Sequence, residues 1–338
     1  MSKIIEEKGN IVIKGKGWER IWKATGFGRP EKNMLVLTPE EALALKILGR
    51  AEFDGDLRKK GWNIVLGNKN AFKRIIALLD LVGRRGYKGH VGPEPYDISL
   101  WKRSESPSKS VPKIRVKLFY DYEDISVNEL SSLLRSAIFN KKQFMIGIVD
   151  EEGDIVYYEV KIANPIGGMS LEIKGSCDIT LIGDRGVLNG GYSDILESFF
   201  GKILFGKIIL SPLETAYLIE RGLIAKENKD ELLNYIFNIL EKYDPSISEK
   251  YCVFRDLKKR GHVVKSGFKY GAHFRVYKDN PDETHSNYLV NVVNRNSVLK
   301  PQILSSNVRT AHAVNKKLML AVVEGENIEY ILVEYVRP

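Results

Sequence analysis

LTPEEALAL (37–45) returns as LSPLETAYL (210–218). Each phrase follows a short apolar run and opens an apolar-periodic helix. Thr38 and Ser211 stand at the N-cap positions, Pro39 and Pro212 come first in the helix, and Glu41 and Glu214 follow three residues after the cap. A hydroxyl cap with glutamate at that spacing satisfies two otherwise unpaired backbone N–H groups, and proline at the first position sacrifices none. Two further matches follow in the same order. RRGYKGHVGPEPYDISLWK (84–102) matches KRGHVVKSGFKYGAHFRVYK (259–278), and RSAIFNKKQFMIGIVDEEGD (135–154) matches RTAHAVNKKLMLAVVEGEN (309–327). The offsets are all 173–176 residues, so the chain is a tandem duplication of a unit of about 165 residues. The seam falls at KIANPIGGMS (161–170), where Asn-Pro and Gly-Gly mark a loop.

Each unit reads in two parts, placed at 1–78 and 79–163 in the first repeat and at 168–247 and 248–338 in the second. The first part has short strands (IVIKG, 11–15; DITLIG, 178–183) followed by helices: EEALALKILGRAEF, then AFKRIIALLDLVGRR or ELLNYIFNILEKY. The second part has hairpin signals, a helix (VNELSSLLRSAIFNKK, 127–142) and two closing strands. In the second repeat these are LMLAVVEG and IEYILVEYV, where alternation and β-branching argue for strand. The expected class is α/β with mixed sheets, and the Ser-rich segment SESPSKSVP (104–112) is expected to be a flexible loop.

Composition sets outer bounds. The 338 residues are too many for one ordinary core. A hydrophobic content of 43% with 28% charged residues describes a globular chain. No apolar run reaches the roughly 18 residues that span a bilayer, and MSKIIEEKGN has no secretory pattern. Cys177 and Cys252 form no metal or disulfide pattern and are expected to be reduced core residues, which suits a cytoplasmic location. The net charge of +9 and the pI near 9.2 suit a polyanionic partner, nucleic acid above all, and equally a Lys-rich solvated surface.

The polar chemistry is unevenly shared. Of five histidines, His262, His273, His285 and His312 lie in the second half of the second repeat, and only His90 lies elsewhere. The first repeat serves as an internal control. Tyr277 falls opposite Trp101, which has no hydroxyl. His285 falls opposite 105–122, which has no histidine. Lys316 in VNKKL falls opposite Lys141 in FNKKQ. Each residue has an ordinary alternative role. Tyr277 closes a strand and suits a packed aromatic. His285 suits a solvated strand start, and Lys316 a helix C-terminus. Their joint presence in one copy only is the pattern of a working repeat beside a supporting one. His273 gains nothing from this comparison and reads as structural.

The second repeat resembles the archaeal tRNA-splicing endonuclease family. The resemblance rests on YCVFRDLKKRGHVVKSGFKYGAHFRVY (251–277), HSNYLVNVV (285–293) and RTAHAVNKKLMLAVV (309–323). It covers about 90 residues closely, and the duplicated layout resembles the type in which a degenerate and an active repeat share one chain and two chains pair. The resemblance implies a restriction-endonuclease-like α/β subdomain in the second part of each unit. It also implies a Tyr–His–Lys triad that cleaves RNA without metal or other cofactor, carried by Tyr277, His285 and Lys316. The family arginine that stacks on an extruded base falls on Arg309; a second falls nearest Arg337, at a different spacing. An acidic loop of the inactive repeat, here Asp150, Glu151, Glu152 and Asp154, is implied to dock into the active repeat of the other chain, although these residues equally suit a polar hairpin.

The implied substrate is a bulge–helix–bulge in precursor tRNA, and the implied enzyme is a homodimeric tRNA-intron lyase. In such chemistry the ribose 2′-hydroxyl is the nucleophile, so no protein nucleophile is required. Histidine, titrating near neutrality, suits the acid. Tyrosine suits the base only when nearby positive charge favours its phenolate, which Lys316 would supply. Two rivals stand beside this reading: a non-catalytic RNA-binding or assembly subunit, and a Mg²⁺-dependent DNA nuclease, which would need an acidic pair beside the lysine.

Overall fold

The computed structural model describes residues 2–169, 177–190, 193–223 and 228–338. Ser170, the last residue of the sequence-expected seam, lies outside them. The chain forms two compact units. One comprises 1–161 with 296–306 and 333–338; the other comprises 162–295 with 307–332.

Each unit begins with a small sheet and a capped helix. In the first, the strand order is Arg29–Glu31, Met34–Leu37, Asn10–Lys14, Ser2–Glu7, Ala51–Phe53. In the second it is Asp178–Ile182, Arg185–Gly190, Lys207–Ile209, Lys202–Leu204. Both expected capping boxes form. Glu41 N–H donates to Thr38 Oγ1 at 3.3 Å while Thr38 N–H donates to Glu41 Oε2 at 2.9 Å, and Ser211 and Glu214 repeat this at 3.4 and 2.9 Å. The first helix is shorter than its periodicity suggested. It ends at Ile47, and Ala51–Phe53 leaves it to pair in parallel with Ser2–Ile4. Gly49 at φ +64° permits that turn. AFKRIIALLDLVGRR continues beyond its α-helix, Ala71–Leu78, as a π-helix over Leu79–Arg84.

The larger sheets carry the rest. In the first unit, strands β1 (Lys88–Val91), β2 (Ile98–Trp101) and β3 (Ile114–Tyr120) precede helix α1 (Val127–Phe139), β4 (Gln143–Val149) and β5 (Ile155–Ala163). Their spatial order is β5-β4-β3-β2-β1, with β3 and β4 parallel across the α1 crossover. The second repeat has helix α2 (Ile247–Lys259), then β6 (Val263–Ser266), β7 (Phe274–Tyr277), β8 (Tyr288–Asn294), helix α3 (Pro301–Ala313), β9 (Lys317–Glu324) and β10 (Asn327–Val336). The order β6-β7-β8-β9-β10 repeats the first plan, with β8 and β9 parallel. Phe274, Val276, Val290, Met319 and Ala321 fill the core of the second unit beside Val253, Phe254 and Leu257 of α2. Both cysteines are buried and outside any disulfide, and no described helix is long and apolar enough to cross a membrane.

Candidate active site

Alternation along β7 sends Phe274 and Val276 into the core, so Arg275 and Tyr277 take the opposite face. The registers then fix Tyr277's neighbours. Val276 faces Tyr288 on β8, and Tyr288 faces Lys317 on β9. One residue outward, Tyr277, Asn287 and Lys316 form a row across three adjacent strands, roughly 4.8 Å apart from strand to strand. Asn287 N–H donates to Val276 O at 2.9 Å, and Lys317 N–H donates to Asn287 O at 3.1 Å. His285 lies two residues before Asn287. One sheet end therefore gathers the tyrosine, the histidine and the lysine that the sequence marked.

Each side chain arrives by a different local device. Tyr277 is only 9% exposed, and the Arg275 guanidinium lies 5.8 Å from its ring centroid. His285 is exposed at the close of a turn organised by Asn280. The Asn280 carbonyl accepts from Thr284 N–H at 2.9 Å and from Thr284 Oγ1 at 2.8 Å, and Asn280 Oδ1 accepts from Asp282 N–H at 2.9 Å. Lys316 follows α3 through Asn315 at φ +54°, and its N–H donates to Ala311 O at 2.8 Å. Its ammonium donates to Val314 O at 3.1 Å and lies 5.6 Å from the Tyr270 ring centroid. Both of these contacts are with uncharged groups.

Arg309 lies exposed on α3, about two helical turns before Lys316. Arg337 belongs to the other unit, where its Nε donates to the Tyr335 hydroxyl at 3.1 Å. Asp150, Glu151, Glu152 and Asp154 form the β4–β5 turn. Asp150 Oδ1 accepts from Glu152 N–H at 3.0 Å and Asp154 N–H at 2.8 Å, while Glu151, Glu152 and Asp154 are exposed. Asp150 thus holds the turn and the other three carry its outward charge.

Sequence reading missed the residues around Tyr277. Asn287 carried no signal of its own inside HSNYLVNVV. His262, fully buried, donates from Nδ1 to Tyr277 O at 3.1 Å. Burial holds its pKa below the ordinary range, against the backbone carbonyls of Tyr277 and Pro165. Its position immediately before β6 was the available signal. His273 behaves as expected: its Nδ1 accepts from Val292 N–H at 2.9 Å, and burial pushes its pKa down to about 4.

The first repeat has the same backbone row. Leu100 faces Ile114, Lys113 N–H donates to Leu100 O at 2.8 Å, and Gln143 N–H donates to Lys113 O at 2.8 Å. Trp101 therefore matches Tyr277, Val111 matches His285, and Lys113 matches Asn287. The lysine pairing needs a one-residue correction. Lys142, whose N–H donates to Ala137 O, is the counterpart of Lys316; Lys141, at φ +55°, matches Asn315. Aligning the two Asn-Lys-Lys triplets gave the wrong register because the left-handed residue after the helix is lysine in one copy and asparagine in the other.

Among the described residues no group of three or more His, Cys, Asp or Glu side chains is placed to hold a metal ion. Residues 247–330 match the family described as tRNA intron endonuclease, catalytic C-terminal domain, and 178–235 match the tRNA intron endonuclease N-terminal domain. A tRNA-splicing endonuclease of Methanosarcina mazei is 33% identical over 341 residues, covering 96% of each chain. One from Methanosarcina acetivorans is 33% identical over 349 residues, covering 98% of each. One from Thermococcus kodakarensis is 43% identical over 157 residues, covering 46% of this chain and 91% of its own.

Proposed function

Because the chain belongs to the tRNA-splicing endonuclease family, we propose that it excises introns by cutting both bulges of a bulge–helix–bulge in precursor tRNA. The carrying observation is the meeting of Tyr277, His285 and Lys316 at one end of β7, β8 and β9. Tyr277 takes the proton of the ribose 2′-hydroxyl. The 2′-oxygen bonds to phosphorus, and the bond from phosphorus to the 5′-oxygen breaks. His285 gives a proton to that leaving oxygen, so the products are a 2′,3′-cyclic phosphate and a 5′-hydroxyl. Lys316 faces the charge that develops on the phosphorane oxygens. Arg309 stacks on an extruded bulge base, and Arg337 is the second candidate for that contact.

Two chains act together in this reading. The exposed acidic β4–β5 turn of one chain docks into the active repeat of its partner. A groove of about 820 Å³ in the second unit suits that turn, being lined by Arg185, Lys202 and Arg275, with Lys250 and Lys265 already paired to Asp244 and Glu214. A symmetric dimer then presents two sites to two bulges.

Cleavage of an intron-containing pre-tRNA in excess EDTA tests the chemistry. The expected result is full cleavage with cyclic-phosphate ends. Loss of cutting in EDTA, restored by Mg²⁺, would overturn the metal-free mechanism.

A further inference from the structure

The chain leaving Tyr277 is held at three successive backbone groups by three separate segments. Tyr277 O accepts from the buried His262. Lys278 N–H donates to Asn287 Oδ1 at 2.9 Å. Lys278 O accepts from Gly168 N–H at 2.7 Å, and Gly168 belongs to the segment that joins the repeats. That segment is itself fastened. Gly167 N–H donates to Arg260 O at 2.8 Å, Met169 N–H donates to Gly261 O at 3.1 Å, and Asn164 Oδ1 accepts from Arg260 Nη1 at 2.7 Å. At Gly167 the approach is too close for any side chain, since a Cβ there would lie 2.0 Å from the Gly261 carbonyl oxygen. A Cβ on Gly168 would meet chiefly the Asp279 carboxylate, at 2.6 Å from Oδ1, which can turn aside. Contact thus explains the first glycine of the NPIGG pair, beyond its value as a loop former.

The first repeat shows what this arrangement is for. Tyr87 stands before β1 where His262 stands before β6, and Lys113 stands where Asn287 stands. Two of the three holding positions differ in the copy that has no tyrosine to hold. Both copies keep the backbone bonds of the sheet itself, so folding the sheet does not require the additional three.

We propose that His262, Asn287 and Gly168 are a positioning clamp for Tyr277, and that the inter-repeat segment is thereby a working part of the active site. The inference rests on the reading of Tyr277 as the base. The clamp fixes where β7 ends. It sets the direction of the Tyr277 side chain and anchors the 278–286 loop that ends beside His285. None of the three residues touches RNA in this role, so they affect the rate of the chemical step and leave substrate binding alone.

The test uses full-length protein and single-turnover cleavage of pre-tRNA at varied enzyme concentration, with Tyr277→Phe, Asn287→Leu and Gly167→Ala. Asn287→Leu and Gly167→Ala are expected to lower the maximal rate roughly 10- to 100-fold, with half-saturation within about 2-fold of wild type. If Tyr277→Phe is inactive while Asn287→Leu and Gly167→Ala cut at the wild-type rate, the clamp is wrong and the site reading stands. If Tyr277→Phe cuts at the wild-type rate, the site reading fails. Rate losses that track lost thermal stability, or that come with equally weakened half-saturation, would also overturn the clamp.

Discussion

The two repeats place the same backbone row at the end of the same sheet and use it differently. In the second, the row carries Tyr277, Asn287 and Lys316, with His285 exposed beside it. In the first it carries Trp101, Lys113 and Lys142, and the adjoining loop folds back on it. The Trp101 indole donates to Ser110 O at 2.8 Å, Lys142 Nζ donates to Pro112 O, and Lys88 Nζ donates to Glu105 O at 2.9 Å. The Ser-rich 104–112 segment, expected to be a flexible loop, is a loop that these contacts tie down. A shared lysine is thus no sign of shared chemistry. In the second repeat it bonds Val314 O just before it and shares a row with Tyr277, and in the first it bonds Pro112 O of the loop folded back on the row. The difference comes from side chains and loop closure on a conserved hydrogen-bonding frame.

The largest expected effect lies at His285, the proposed acid. His285→Ala should lower single-turnover cleavage by roughly 10³-fold while pre-tRNA retention on a filter stays unchanged. Wild-type activity in that variant would break the assignment of the second repeat as the working one. Next come the lysines. Lys316→Met should cost roughly 10²-fold in rate, and Lys142→Met less than about 2-fold. Equal losses would show that the first repeat also does chemistry. In the two-chain reading, reversal of Glu151, Glu152 and Asp154 to lysine should halve the sedimenting mass and reduce cleavage by about 10-fold at low protein concentration. An unchanged sedimentation profile would remove the acidic turn from assembly.

The smallest effect concerns His273, which has no histidine counterpart in the first repeat. Its folded pKa, about 4, lies below that of an unfolded histidine, about 6.5. Between these values the unfolded chain binds the extra proton, so this contribution to stability is lost as pH falls from about 6.5 through 4. Thermal midpoints from pH 7 to 4 should fall less steeply in His273→Asn than in wild type. Parallel curves would show that His273 does not carry this dependence.

Much of this was legible in the chain itself. The capping boxes at Thr38 and Ser211 are local, as is the alternation that buries Phe274 and Val276, because caps and strand faces depend on neighbours a few residues away. The duplication exposed Tyr277 and His285 by contrast with Trp101 and a histidine-free loop. The strand order was not local. β8 and β9 lie side by side only because α3 crosses between them, and that adjacency puts Lys316 in the row with Tyr277. Nor could the sequence show that Asn287 sits at the centre of that row, that Gly168 bonds the residue after Tyr277, or that Lys142 and not Lys141 matches Lys316. Hydrogen-bond partners in a sheet are set by register between distant segments, and a register slip of one residue leaves the local pattern of helix and turn almost unchanged.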